Sequence, residues 1–295
     1  MEGGIHMFKT VEELVERCET EGKAIHEIML EQEMSVTGVS ADEVYEGMGH
    51  HFKTMENALD EGLNGVTSTT GLTGGDAVLI KKYLESGQAL SGPILLDAVS
   101  KAVATNEVNA AMGKICATPT AGSAGVVPGV LFAIKHRFNP SHKDMLNFLL
   151  TAGAFGFVVA NNASISGAAG GCQAEVGSAA AMAAAATVEM AGGTPQQSAE
   201  AFAICMKNML GLVCDPVAGL VEVPCVKRNA AGASNAIVSA DMALAGVSSR
   251  IPTDEVILAM YRIGQTMPSA LRETGRGGLA GTPTGQRLKQ QIFGD

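Results

Sequence analysis

Apolar residues recur at intervals of three and four through most of this chain and nowhere alternate with polar ones in a sustained way, so the pattern predicts helices and no sheet. Between Thr10 and Glu33, Val11, Leu14 and Val15, then Ile25, Ile28 and Met29, lie between acidic residues, which predicts two short amphipathic helices broken near Gly22. Ser40 with Glu43 is a capping box for a helix reaching Leu59. One helix ends near Gly113, another covers Val126 to His136, and Ser141 with Asp144 caps a third that runs to about Val159. Gln173 to Met190 is an Ala-rich helix closed by Gly192-Gly193, after which Thr194-Pro195 restarts a helix with cap and proline in the favoured order. Asn229 to Gly246 and Thr253 to Thr266 complete the set, the latter with Thr253 as its cap and an acidic first turn. The fold class is all-α, with Gly-rich loops meeting at a centre. Residues 1–295 read as one domain, with 1–62 as a helical N-terminal arm in the alternative.

The loops carry the polar chemistry. Asn64 to Asp76, NGVTSTTGLTGGD, is rich in hydroxyls and glycine but lacks the Gly-Lys-Ser/Thr ending of a nucleotide loop, and reads as a substrate-facing turn. In Ala117 to Pro128, the hydroxyls of Thr118, Thr120 and Ser123 precede a helix N-terminus, a natural pocket for a carboxylate. Asn161 to Gly171 is a third such loop, and LRETGRGGLAGTPTG near the end reads as a loop forming a further polar wall.

Composition narrows the classes. Hydrophobic residues make up 46% but aromatics only 4%, with no Trp, so the core must be built from Ala, Val, Leu, Ile and Met; 36 glycines favour closely packed helices. A net charge of −10 and a pI near 5.1 without a Lys/Arg cluster exclude a nucleic-acid surface. The longest apolar run, Phe148 to Ala160, is too short to span a bilayer and is broken by Gly153 and Gly156, so no membrane role is expected. Six cysteines without a signal-peptide pattern predict a reducing, cytoplasmic setting rather than a disulfide framework. The first six residues carry no pattern and read as a frayed end.

Three of those cysteines, Cys172, Cys214 and Cys225, stand in Gly- or Pro-bearing turns, with Pro216 and Pro224 fixing the chain direction around them. Three soft ligands without a fourth suit a zinc site with an open position or an iron–sulfur cluster with one iron not bound by protein. The spacings of 42 and 11 positions lack the close Cys pairs of structural zinc sites, and burial of all three as small apolar residues is the competing reading. Cys205, between apolar neighbours, reads as core, as does Cys116, whose alternative is a fourth thiolate. His50 and His51 lie about 100° apart on one helix and cannot clamp a metal together. None of the six histidines is in a Gly-rich loop, and Glu175, Asp215 and Glu222 near the thiols read equally well as caps.

The runs NNASISGAAGGCQAEVG, KNMLGLVCDPVAGLVEVPCVKRN, TPTAGSAGVVPG and RETGRGGLAGTPTG resemble the iron–sulfur-dependent L-serine dehydratases, specifically the alpha chain of the two-subunit form, over about Glu33 to Phe293. The resemblance implies a 4Fe-4S cluster ligated by Cys172, Cys214 and Cys225, L-serine bound at the open iron, and conversion to pyruvate and ammonia without pyridoxal phosphate, a reaction of amino-acid catabolism and gluconeogenesis. The family's beta portion carries a Ser-x-Ser-His-Thr-x-Gly-Pro segment. Here Ser141-His142 is followed by Lys143 and Asp144, so the general base is expected on a beta chain and the protein in a hetero-oligomer. Asn162, Ser164 and Ser166, which lead into Cys172, are the first candidates for substrate contacts, followed by Thr120 and Ser123. Lys227 and Arg228 are candidates for attracting the substrate carboxylate or offsetting the cluster's charge, against a plain exposed helix start. Competing classes are a non-catalytic cluster- or zinc-bearing scaffold and a related hydro-lyase acting on another hydroxy acid.

Overall fold

Local capping sets many of the helix boundaries. The Thr10 hydroxyl accepts from Glu13 N at 3.1 Å, the predicted boxes form at Ser40/Glu43 and Ser141/Asp144, and the predicted cap Thr194 forms a further box with Gln197, each with hydroxyl and carboxyl or amide satisfying backbone N–H groups reciprocally. In the computed structural model, which describes residues 7–294, the helices are α1 (Val11–Glu21), α2 (Ile25–Thr37), α3 (Ala41–Asn64), α4 (Asp76–Glu85), α5 (Pro93–Ala110), α6 (Val126–Phe138), α7 (His142–Asn162), α8 (Gly167–Gly170), α9 (Ser178–Met190), α10 (Pro195–Lys207), α11 (Cys225–Leu244), α12 (Thr253–Thr266) and α13 (Pro283–Phe293). No strand occurs among the described residues, where only the isolated bridges Thr67 to Gly74 and Cys214 to Arg272 are extended pairs. The all-α expectation holds. The frayed end expected at residues 1–6 lies outside the described residues.

Two helices are buried nearly all round. α9 packs against α6, α7, α10 and α11, and α5 against α3, α4, α6 and α11. Every residue of α9 from Ser178 to Val188 is buried, as the uninterrupted Ala-rich sequence requires. Glycine brings the neighbours close. A Cβ at Gly125 would stand 2.1 Å from Ala102 O and one at Gly62 2.2 Å from Ala104 O, so α6 and α3 rest directly on the backbone of α5. One contiguous core runs from Phe8, Leu14, Ile25 and Ile28 through Phe155, Ala180 and Phe202 to Met260, and it includes residues of α1, α2 and α3. α7 is the one helix among the described residues long and apolar enough to cross a membrane, and 61% of that stretch is buried inside the protein.

Several boundaries differ from the sequence expectation. The expected helix over Gln173–Met190 opens with a π-helical turn, Gln173–Gly177, before α9 begins. α11 begins at Cys225, so this thiol sits on a first helical turn and not in a loop. Thr253 does not cap α12: its hydroxyl donates to Ala199 O at 2.9 Å from inside the helix, and Pro252 is the cap residue. The C-terminal stretch read as loop contains short 3-10 turns and the start of α13, whose cap Thr282 accepts from Gly285 N.

Candidate active site

The site is built by turns that cannot tolerate a side chain. Gly171, at φ +79°, reverses the chain after α8, and a Cβ there would lie 2.8 Å from Leu212 O. Cys172 follows, leading into the π-helical turn, a local rewinding frequently found at functional sites. Fully buried Gln173 ties this turn to the segment bearing Cys214: its Nε2 donates to Gly170 O and Met260 O, its Oε1 accepts from Gly211 N, and its own N donates to Leu212 O. Cys214 is braced from the other side by the C-terminal stretch, its N donating to Leu271 O at 2.8 Å and its O accepting from Glu273 N at 2.7 Å.

These supports bring ligating atoms of Cys172, Glu175 and Cys214 within 4.8 Å of one another, all three residues buried. Thr120 Oγ1 donates to Glu175 Oε1 at 2.6 Å, and Ser123 Oγ lies 3.1 Å from Thr120 Oγ1. Arg228 Nη1 reaches Cys172 Sγ at 3.6 Å, Val213 O at 2.8 Å and Asp215 Oδ1 at 2.8 Å. Asn229, one residue on, donates to Gly122 O and Cys225 O and accepts from Gly125 N, fastening the Thr120 loop to the first turn of α11. Asp215 also accepts from Leu279 N at 2.7 Å, and Glu222 accepts from the hydroxyls of Thr70 and Thr73 at 2.9 Å, which docks the Asn64–Asp76 loop beside the segment leading to Cys225.

The thiols differ in ionisation. Cys172 is held below the usual thiol range by the hydrogen bond that Cys214 donates to it and by the nearby Arg228 guanidinium, against the opposing effect of burial. Cys214, the donor, is pushed up by that same bond and by burial. Burial, then the charges of Cys172 and Glu175, push Cys225 up to about 12, so this thiol lies within electrostatic reach of the pair while outside the 4.8 Å group. Glu175 is raised by burial and by the charge of Glu273, with Thr120 opposing.

The substrate candidates separate by position. Thr120 and Ser123 belong to the group around Glu175. Ser164 Oγ accepts from Ser166 N, and Ser166 stands next to Gly167, whose added Cβ would lie 2.6 Å from Glu175 Oε2 and 3.0 Å from Cys214 Sγ. Asn162 instead donates to Val158 O and Lys9 O, holding the end of α7 to the N-terminal segment. Lys227 pairs with Asp76, while Arg228 faces the thiols. Cys18 and Cys205 are buried in the core and Cys116 lies 3.7 Å from His51 Nδ1. The sequence reading missed Gln173 and left Glu175 among possible caps. The signal available was the run CQAE itself, in which buried polar residues follow a thiol and a Gly pair.

Comparison with known proteins points one way. The chain is 70% identical over 288 residues, 98% of its length and 96% of the relative's, to the probable L-serine dehydratase alpha chain of Bacillus subtilis (strain 168). It is 44% identical to the L-serine dehydratase alpha chain of Peptoniphilus asaccharolyticus, covering 97% of this chain and 99% of that one. It is 40% identical to L-serine dehydratase 1 of Escherichia coli (strain K12), where 92% of this chain matches 61% of a longer protein. The sequence profile of the family described as serine dehydratase alpha chain matches residues 20–280, and the chain belongs to that family.

Proposed function

We propose that this chain, acting as one unit over residues 1–295, is the cluster-bearing subunit of an L-serine dehydratase that works with a separate beta chain in a hetero-oligomer in the reducing cytoplasm. The observation that carries the reading is the meeting of Cys172 and Cys214 with Glu175 and Arg228, in a chain whose relatives are named L-serine dehydratase alpha chains. The longer Escherichia coli relative, of which this chain matches 61%, fits a division in which a second polypeptide supplies the remainder.

The donor set suits a 4Fe-4S cluster. Soft thiolates select iron–sulfur or zinc over hard cations, and the three thiols come from three separate segments, without the close pairs of a structural zinc site. A cluster with three thiolates is an anion, and Arg228, the cation that touches Cys172, offsets its charge. In this reading Cys172, Cys214 and Cys225 are the ligands. When bound, the cluster supplies an iron with an open position, a Lewis acid for the substrate hydroxyl.

The chain's residues then bind and orient. Thr120 and Ser123 on one side, and Ser164 and Ser166 on the other, present hydroxyls around the site, and Asn162 fastens the end of α7, from which the serine loop departs, to Lys9 O. Removal of the α-proton and the β-hydroxyl of L-serine as water gives 2-aminoacrylate, which tautomerises and hydrolyses to pyruvate and ammonia. The base for the α-proton is assigned to the beta chain, as the family resemblance implies; in this chain His26 is bonded to Glu189, His51 lies against Cys116 and His142 packs edge-on against Phe52. No lysine is called on for a pyridoxal phosphate linkage, and treatment with aminooxyacetate is expected to leave activity intact.

The test is pyruvate formation from L-serine by the anaerobically prepared chain, alone and co-expressed with its beta chain. Activity only in the complex is expected. Activity of the beta chain by itself would reduce this subunit to a scaffold, and a complex with its cluster assembled but inert toward L-serine and active on another hydroxy acid would move it to a different hydro-lyase.

A further inference from the structure

We infer that Glu175 receives the α-ammonium group of the substrate and so makes the site select an amino acid over a hydroxy acid. The inference rests on the preceding reading and goes further, because it assigns to this chain the group that recognises the amine. L-serine carries its ammonium and its hydroxyl on adjacent carbons. A group that reads the first must therefore stand beside whatever binds the second, and a carboxylate oxygen of Glu175 lies within 4.8 Å of the sulfurs of both Cys172 and Cys214.

Glu175 is also fixed in place. Thr120 donates to one carboxylate oxygen at 2.6 Å, and the missing side chains of Gly122 and Gly167 leave the room it fills: an added Cβ would stand 2.9 Å from Oε1 at Gly122 and 2.6 Å from Oε2 at Gly167. The π-helical turn holds the residue on the thiol side of the chain. Such a carboxylate is prearranged for a ligand of one shape and charge.

Among the described residues no Lys, Arg or His is ion-paired or hydrogen-bonded to it. Glu175 is 8% exposed, and its hydrogen-bond donor, Thr120, is neutral. Glu273, in the same region, opposes its negative charge. Arg228 is directed to Cys172 and Asp215, and Lys227 pairs with Asp76. The neighbouring acids are engaged otherwise: Asp215 by Arg228 and Leu279 N, Glu222 by Thr70 and Thr73. A buried carboxylate without a cation is unfavourable, and an ammonium group, a compact charge with three N–H donors, relieves it at the point where the substrate must lie. The hydroxy-acid analogue with OH in place of the ammonium can give Glu175 one neutral hydrogen bond but no compensating charge.

The experiment compares L-serine with L-glycerate, its analogue in which hydroxyl replaces ammonium, in the alpha–beta complex prepared anaerobically. Glu175→Gln is expected to raise the KM for L-serine roughly 30-fold or more while changing inhibition by L-glycerate less than about threefold, because the amine loses its counter-charge while the glutamine amide oxygen still accepts from the hydroxyl. Glu175→Asp, which keeps the charge but shortens the reach, should fall between the two. The visible absorption of the cluster before substrate is added is expected to match the wild type. Equal effects on serine and glycerate, or no effect on either, would overturn the inference. So would an altered cluster spectrum in substrate-free Glu175→Gln with unchanged serine-to-glycerate discrimination in Glu175→Asp, which would make Glu175 a cluster ligand. Cluster content and pyruvate formation by the wild-type complex report separately on the preceding reading.

Discussion

Cys205 and Cys172 are residues of one type, both buried, in two regions that treat a thiol in opposite ways. Cys205 lies in the apolar core on α10, 0% exposed, its sulfur approached by the Asn235 amide at 3.2 Å, and burial pushes it up to about 12. Cys172 is 2% exposed, yet its thiol is held below the ordinary range by Cys214 and Arg228. Burial alone makes an inert thiol. Burial beside a donor thiol and a guanidinium instead shifts the thiol toward the thiolate, the form that binds soft metals.

The sharpest way to break this contrast is to remove one thiol from each region. Cys214→Ala is expected to abolish bound cluster and pyruvate formation, measured by iron content and turnover of the complex. Cys205→Ala should leave turnover within about twofold and cost about 1–2 kcal/mol of stability in denaturant unfolding through the small cavity it leaves. Full activity in Cys214→Ala would remove it from the ligand set.

A subtler intervention keeps every ligand and shifts their surroundings. In Gly167→Ala the new methyl would stand 2.6 Å from Glu175 and 3.0 Å from Cys214 Sγ, so one of them must move. A displacement of that size at a reacting centre lowers turnover by roughly 10²-fold, while the helical circular-dichroism signal should stay unchanged. Unchanged turnover would show that neither group needs its present position.

The smallest expected effect lies far from both thiols, at the start of α7. Ser141→Ala removes a cap worth about 1 kcal/mol. Asp144, whose carboxyl is held low first by the Ser141 hydroxyl and then by Ser141 N–H, shares in that box. Because its folded pKa lies below the unfolded value of 3.8, its contribution is full above that pH and disappears as pH falls through the lower, folded value. The difference between wild type and Ser141→Ala, followed by urea unfolding across pH 2 to 7, should therefore shrink only at the acidic end. A difference independent of pH would show that the hydroxyl caps without the carboxylate.

What the sequence made legible was local or contiguous. The boxes at Ser40/Glu43 and Ser141/Asp144 and the cap at Thr194 are patterns whose partners lie within one turn, and the structure forms all three. The Ala-rich stretch announced a helix, and α9 is that helix, buried all round. Contacts made across the chain were not legible. Nothing near Cys214 foretells that Leu271 and Glu273 will pair with its backbone, because that bridge depends on where the C-terminal stretch returns. The π-helical turn escaped because five residues wound at a wider pitch leave the apolar pattern of an alanine stretch almost unaltered. Glu175 was ambiguous for a related reason: an acidic residue near a helix start is ordinarily a cap, and only the arrival of Thr120, Gly122 and Gly167 from two other segments gives it a different surrounding. Cys225 was expected in a turn, and Pro224 as cap residue instead places it on the first turn of α11, with Arg228 one turn further along the same helix.

The central claim, that Cys172, Cys214 and Cys225 together hold an iron–sulfur cluster, is tested most directly by iron and acid-labile sulfide analysis of the chain reconstituted under strict anaerobic conditions, beside its three single Cys→Ala variants. The account predicts iron and sulfide in equal amounts in the wild type, a broad visible absorption, and loss of both in each variant. Wild-type protein that takes up neither iron nor sulfide, or that retains zinc alone, would contradict it.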